Sequence, residues 1–153
     1  YTGEDTLSLH DALPILDENL PLLNCDALRI LQVINNLLSN SIKYSPGDAD
    51  VIISVKIRNG ELVVKIRDHG VGMTEAEIKI ALTKYGTVYK AAFSLIESYG
   101  LGLAIVKLLL DAHEATFCVE SEVNIGTTVT IIFPSYKLVY PNKNTKAGQI
   151  NDA

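Results

Sequence analysis

The chain has 153 residues, 48% of them hydrophobic, enough for one globular domain with a core of its own. Its formal charge of −5 excludes a general nucleic-acid surface, which is basic, but not a nucleotide ligand, whose phosphates need only a few local donors. No apolar run is long enough to cross a bilayer, and the two cysteines, Cys25 and Cys118, lack CxxC or His neighbours at ligand spacing and read as reduced, small, buried hydrophobes.

The first fifteen residues read differently from the rest. Residues 6–15, TLSLHDALPI, resemble the conceptual translation of a widely used sequencing-adapter oligonucleotide. On that expectation residues 1–15 are not native and are set aside from the fold, as a tag would be. His10 falls in this stretch and receives no role. The native domain is expected over residues 16–134.

Residues 26–45, DALRILQVINNLLSNSIKYS, predict one amphipathic helix, capped by Asp26 and stopped by Pro46-Gly47. Leu28, Leu31, Asn35, Leu38 and Ile42 recur at three- and four-residue steps, and Val33, Ile34 and Leu37 widen the apolar face. Asn36, Asn40 and Lys43 fall at i, i+4, i+7 and stack two carboxamides and an ammonium along one stripe beside Tyr44. That stripe is either a helix edge meeting solvent or a polar site.

Val51, Ile53, Val55 and Ile57 then alternate with polar residues, Asn59-Gly60 supplies a two-residue turn, and Leu62, Val64 and Ile66 alternate on the return. The hairpin predicted here runs straight into DHGVGM, residues 68–73. Its Gly70 and Gly72 mark either a plain turn or a place where backbone comes close to something. Thr74 to Glu77 is a capping box opening a short helix to about Leu82. Residues 83–99 hold no period and predict a long irregular lid, with Tyr85, Tyr89 and Phe93 scattered among polar residues. Gly100-Leu101-Gly102-Leu103 is predicted to open a second strong helix, residues 103–113, with its first N–H groups available to phosphate. His113 near its end reads as a favourable end charge or a solvated residue, and His69 has no sequence context for catalysis. Residues 116–120 and 127–133 predict two further strands, and residues 135–153 a polar tail or linker.

Over about residues 25–133 this order resembles the catalytic ATP-binding domain of bacterial sensor histidine kinases, within the larger group that includes gyrase, Hsp90 and MutL. NNLLSNSIKYS is similar to that family's N box, DHGVGM to its G1 box, YGLGL to its G2 box and GTT to the short box at the last strand. The resemblance implies an α/β sandwich, a mixed β-sheet covered on one face by helices, with ATP and Mg²⁺ as cofactors. In that reading Asn40 gives an oxygen to Mg²⁺, and Lys43 and Tyr44 meet the phosphates. Asp68 accepts from the adenine amine with Thr127 in support, and Gly70 and Gly72 let backbone approach the base. Gly100, Leu101, Gly102 and Leu103 form the phosphate loop, and Asn36 with Lys43 is catalytic.

A glutamate at position 36 would activate water, as in the gyrase-like members; an amide cannot take that proton, so the γ-phosphoryl is kept for an acceptor. The implied activity is a protein histidine kinase of a two-component system. Its partners would be a dimerisation and histidine-phosphotransfer domain and, indirectly, a response-regulator receiver, with no nucleic acid and no membrane contact by this chain. The implied placement is cytoplasmic, as part of a membrane-bound sensor. Ser98 stands where the family's G2 box usually has glycine. The alternatives in other classes are a degenerate nucleotide-binding regulatory module and a serine kinase or clamp-type ATPase.

Overall fold

The computed structural model describes residues 12–47, 49–83 and 93–141, with residues 93–102 described by their backbone alone. The expected adapter residues 6–11, most of the expected lid and the end of the tail lie outside the described residues.

Strands β1 (Ala12–Leu16), β3 (Val51–Arg58), β4 (Glu61–Arg67), β6 (Gly126–Phe133) and β5 (Thr116–Glu122) form a five-stranded sheet in that order. β1 runs parallel to β3 and every other pairing is antiparallel, so the sheet is mixed. Helices α1 (Ala27–Tyr44), α2 (Glu75–Leu82) and α3 (Phe93–Ala112) pack on one face of it. Strand period 2 decides which residues meet them. The register aligns Val55, Val64, Ile131 and Phe117 in one row and Ile53, Ile66, Val129 and Val119 in the next. All eight belong to the core or pack against it, together with Val33 and Leu37 of α1 and Val106 and Leu110 of α3. The expected α/β sandwich is the fold observed. The β3–β4 turn has Asn59 and Gly60 both at positive φ, 52° and 79°, the backbone a two-residue hairpin loop demands.

Several expectations are corrected. α1 has the expected N-cap, Asp26 Oδ1 accepting from Arg29 N, and Val33, Ile34, Leu37, Leu38 and Ile42 of its expected apolar face belong to the core or pack against it, but the start of that face does not. Val33, Leu37 and Ser41 are buried, whereas Leu28 is 79% and Leu31 55% exposed. Residues 93–99, expected in an irregular lid, belong to α3, which begins ten residues before Leu103. Leu, Ile and Glu in this stretch are good enough helix formers to carry the helix through both glycines. Cys118 is exposed and Cys25 half-buried, both free; Cys118 sits on the sheet's outer face, and burial, then the Asp26 carboxylate, pushes the Cys25 thiol up.

At the N-terminal edge, residues 12–15 are not outside the sheet. They form most of β1, where Pro14 is tolerated because an edge strand can lack an N–H, although no β1 side chain enters the core. At the other end residues 135–139, expected in the tail, form a 3₁₀ turn (Ser135–Lys137) and β7 (Leu138–Val139). β7 pairs antiparallel with β2 (Leu22–Leu23), and Leu138 and Leu23 pack on the core. The folded unit therefore extends past residue 134.

His113 is half-buried. Its Nε2 lies 3.1 Å from the Asp26 backbone N–H and its Nδ1 2.7 Å from the Leu109 carbonyl. Nε2 accepts from that N–H, and the ring ties the end of α3 to the start of α1.

Candidate functional site

The capped helix α1 and the end of β4 place Asn40, Ser41, Tyr44 and Asp68 along one cleft, closed by Val71, Gly72 and Met73 of the DHGVGM loop, Leu103 of α3 and Thr127 of β6. These residues are far apart in sequence, and the sheet order brings them together. The cleft is partly open and holds a cavity of about 50 Å³, small beside the roughly 300–1,000 Å³ of whole small-molecule sites.

Asp68 is 8% exposed. Its Oδ1 accepts from Gly70 N at 2.9 Å and Thr127 N at 3.1 Å, while its own N–H donates to the Thr127 carbonyl at 2.9 Å. Two N–H groups satisfy one carboxylate oxygen, as burial requires. Among the described residues Oδ2 has no such partner, and it is the atom left for a ligand donor.

The DHGVGM loop is pinned on both sides. Val71 N donates to the Tyr44 carbonyl, Asn124 N to the Val71 carbonyl at 2.7 Å, and Met73 N to Ser121 Oγ at 2.8 Å. This changes the reason for the two glycines. A Cβ on Gly70 would run into the Tyr44 carbonyl, and one on Gly72, whose φ is +67°, into the Glu122 carbonyl. The close approaches expected toward a base are, in this structure, approaches to the protein's own backbone.

Asn40 lines the cleft, and among the described residues its side chain makes no hydrogen bond. Lys43 is exposed, its Nζ 5.3 Å from the centroid of the Tyr44 ring, and it is not part of the cleft wall. Asn36 opens instead onto a shallow groove on the outer side of α1, shared with Leu28, Leu31 and Gln32. Of the glycine-rich YGLGL segment Leu103 lines the cleft. Gly100, Leu101 and Gly102 lie inside α3, where backbone N–H groups serve the helix ladder rather than a ligand. In this conformation the expected phosphate loop is therefore not formed.

No group of three His, Cys, Asp or Glu among the described residues could hold a metal on its own. Mg²⁺ keeps several waters and takes one or two protein oxygens plus substrate phosphates, so a site for it needs no such group; Asn40 is among the cleft residues that carry a side-chain oxygen. Ser121 is the participant sequence reading missed, since one serine in an alternating strand carries no signal of its own.

Residues 25–137 match the family described as Histidine kinase-, DNA gyrase B-, and HSP90-like ATPase. The chain is 33% identical over 139 residues to Sensor protein RprX of Bacteroides fragilis, covering 90% of this chain and 25% of RprX. It is 33% identical over 130 residues to the cell-division control histidine kinase PdhS of Brucella canis, covering 79% of this chain and 13% of PdhS. Among solved structures, the nucleotide-free catalytic domain of histidine kinase ThkA aligns with a TM-score of 0.66 at 21% identity, over 82% of this chain and 78% of that one. Full-length ShkA in complex with AMPPNP aligns with a TM-score of 0.64 at 22% identity, over 81% of this chain and 25% of that one. These structural likenesses establish the shared fold. The chain belongs to the histidine kinase-, DNA gyrase B- and HSP90-like ATPase family, and it spans a quarter or less of the two curated relatives.

Proposed function

We propose that this chain is the ATP-binding catalytic domain of a bacterial sensor histidine kinase, binding Mg·ATP and supplying its γ-phosphoryl group to a histidine on a separate dimerisation domain. The observation that carries the reading is the buried Asp68, with Oδ1 held by two backbone N–H groups and Oδ2 left to accept at the floor of the cleft. Adenine offers an amine there and guanine a carbonyl, which would leave a buried group unpaired. Asn40 supplies an oxygen to Mg²⁺, which neutralises phosphate charge, and Lys43 and Tyr44 lie next to it on α1 for the phosphates. Gly100 to Leu103 meet the phosphates once the front of α3 opens. At position 36 the chain offers an amide and no general base for water, which favours transfer over hydrolysis.

The partners in this reading are the phosphoacceptor hairpin and, beyond it, the receiver domain of a response regulator. No helix among the described residues is long and apolar enough to cross a membrane, which agrees with a place on the cytoplasmic side of a sensor.

The experiment is transfer of acid-labile label from γ-labelled ATP. The chain alone binds Mg·ATP, hydrolyses it slowly and does not label itself; adding the matching hairpin gives label on its histidine, at a rate limited by association of two untethered pieces. Rapid phosphate release by the chain alone would point to a clamp-type ATPase. Label on serine would point to a serine kinase. Nucleotide binding with no transfer to the hairpin would leave a regulatory binding module.

A further inference from the structure

Ser121 lies on β5, behind the cleft wall, and its hydroxyl touches three groups. Met73 N donates to Oγ at 2.8 Å, the Gly126 carbonyl lies at 3.0 Å and Thr127 Oγ1 at 2.8 Å. A serine hydroxyl has one proton and two lone pairs. The Gly126 carbonyl can only accept, so the serine proton goes to it; the Met73 amide can only donate. All three contacts are hydrogen bonds under one assignment alone, in which Thr127 donates its proton to Ser121. Thr127 Oγ1 is then left with acceptor capacity only.

That polarity bears on the cleft, because Thr127 and Asp68 line its floor together. Asp68 Oδ1 is occupied by two N–H groups, and Oδ2 has no hydrogen-bond partner among the described residues. We propose that Ser121 is a positioning residue for base recognition: by taking the Thr127 proton it makes Thr127 an obligatory acceptor beside Asp68. The floor of the cleft then reads a purine carrying an amine at its six-position and rejects one carrying an oxo group. Without Ser121 the Thr127 hydroxyl is free to turn its proton into the cleft and donate to an oxo group. The inference rests on the nucleotide-site reading above and adds to it the residue that sets the sign of the second contact.

The test compares ATP with ITP, which carries an oxo group in place of that amine and a proton on N1, by calorimetric titration of the full chain. In Ser121→Ala the preference for ATP over ITP falls about tenfold, the worth of one hydrogen bond of about 1.4 kcal/mol, and Ser121→Thr, which keeps a hydroxyl, restores it. Equal weakening of both nucleotides in Ser121→Ala would mean that the serine merely holds the DHGVGM loop, and the proposal fails. If Ser121→Ala does not fold, Thr127→Val carries the test: its ATP preference also falls, and an unchanged preference overturns the proposal. Asp68→Asn separates the two levels of the argument. Undiminished ATP affinity in that variant sinks the base-site reading and the Ser121 role with it. Weakened ATP binding in Asp68→Asn beside an unchanged preference in Ser121→Ala sinks the Ser121 role alone.

Discussion

The two ends of the cleft are built in opposite ways. At the floor, Asp68, Gly70, Val71, Met73, Ser121 and Thr127 are joined by short backbone and side-chain hydrogen bonds that link β4, β5, β6 and the end of α1. At the other end, Asn40 makes no side-chain hydrogen bond among the described residues, Lys43 stands exposed over the Tyr44 ring, and Gly100 to Leu103 are wound into α3. The floor is held in place by the fold before any ligand arrives. The far end is tied down by fewer hydrogen bonds between its side chains and the described fold. Substitutions at the floor should therefore cost fold and binding together, while those at the far end should alter binding and leave stability nearly alone.

The largest expected effect tests the rigid end. Gly72→Ala puts a methyl against the Glu122 carbonyl at a residue with φ of +67°, so the loop has to shift and loses the Asn124 and Met73 hydrogen bonds. Strain and broken bonds together should lower stability by about 3 kcal/mol, read as a fall in the urea midpoint with the slope unchanged. ATP binding should be lost in the same variant. A stable Gly72→Ala protein with full affinity would show that the floor is not held by this packing.

Next comes the unsatisfied end. Asn40→Ala should remove the Mg²⁺ dependence of ATP binding and change stability by no more than about 0.5 kcal/mol, because Asn40 faces the cleft and no group among the described residues loses a partner. The measurements are ATP titrations with and without Mg²⁺, and a urea melt. A destabilised Asn40→Ala with no Mg²⁺ effect in the parent would make the amide structural and erase the contrast between the two ends.

The same contrast explains what the sequence made legible. Local signals carried through wherever one element decides the outcome. Asp26 caps α1, Thr74 and Glu77 form their reciprocal capping box, and Asn59-Gly60 turns the β3–β4 hairpin. The core face of α1 carried through except at Leu28 and Leu31, because this helix has apolar residues on two overlapping stripes. The one through Leu28 and Leu31 and the one through Val33 and Leu37 both satisfy helical period, and only packing against β3, β4 and α3 selects the second. Gly70 and Gly72 were readable as places of close approach, but not what approaches, since Tyr44 and Glu122 lie far away in sequence. Ser121 was invisible for the same reason. The helical front of α3 was missed because two glycines and a broken period argue locally against a helix that continues regardless.

That helical front sets the smallest and most diagnostic prediction. From sequence, Ser98 invites the idea that glycine would relieve a strained positive φ, with up to about a tenfold gain in ATP affinity if about 1 kcal/mol were relieved. In the structure residue 98 lies within α3, where helical backbone suits serine, so no such strain exists to relieve. Glycine is instead worse than serine in a helix, by about 0.5 kcal/mol. In the proposed mechanism the front turns of α3 must unwind for the backbone at Gly100 and Gly102 to meet phosphate, and a glycine at 98 lowers that cost by the same amount. Ser98→Gly should therefore loosen α3 and tighten ATP binding at once: faster amide exchange over residues 93–102 without ligand, and an affinity gain of about twofold, which is what 0.5 kcal/mol is worth. Opposite signs for stability and affinity are the signature, since a residue that merely supports the fold moves both the same way. Faster exchange accompanied by weaker ATP binding would mean that the wound helix is itself the binding form, and the far end of the cleft would then be as preformed as the floor.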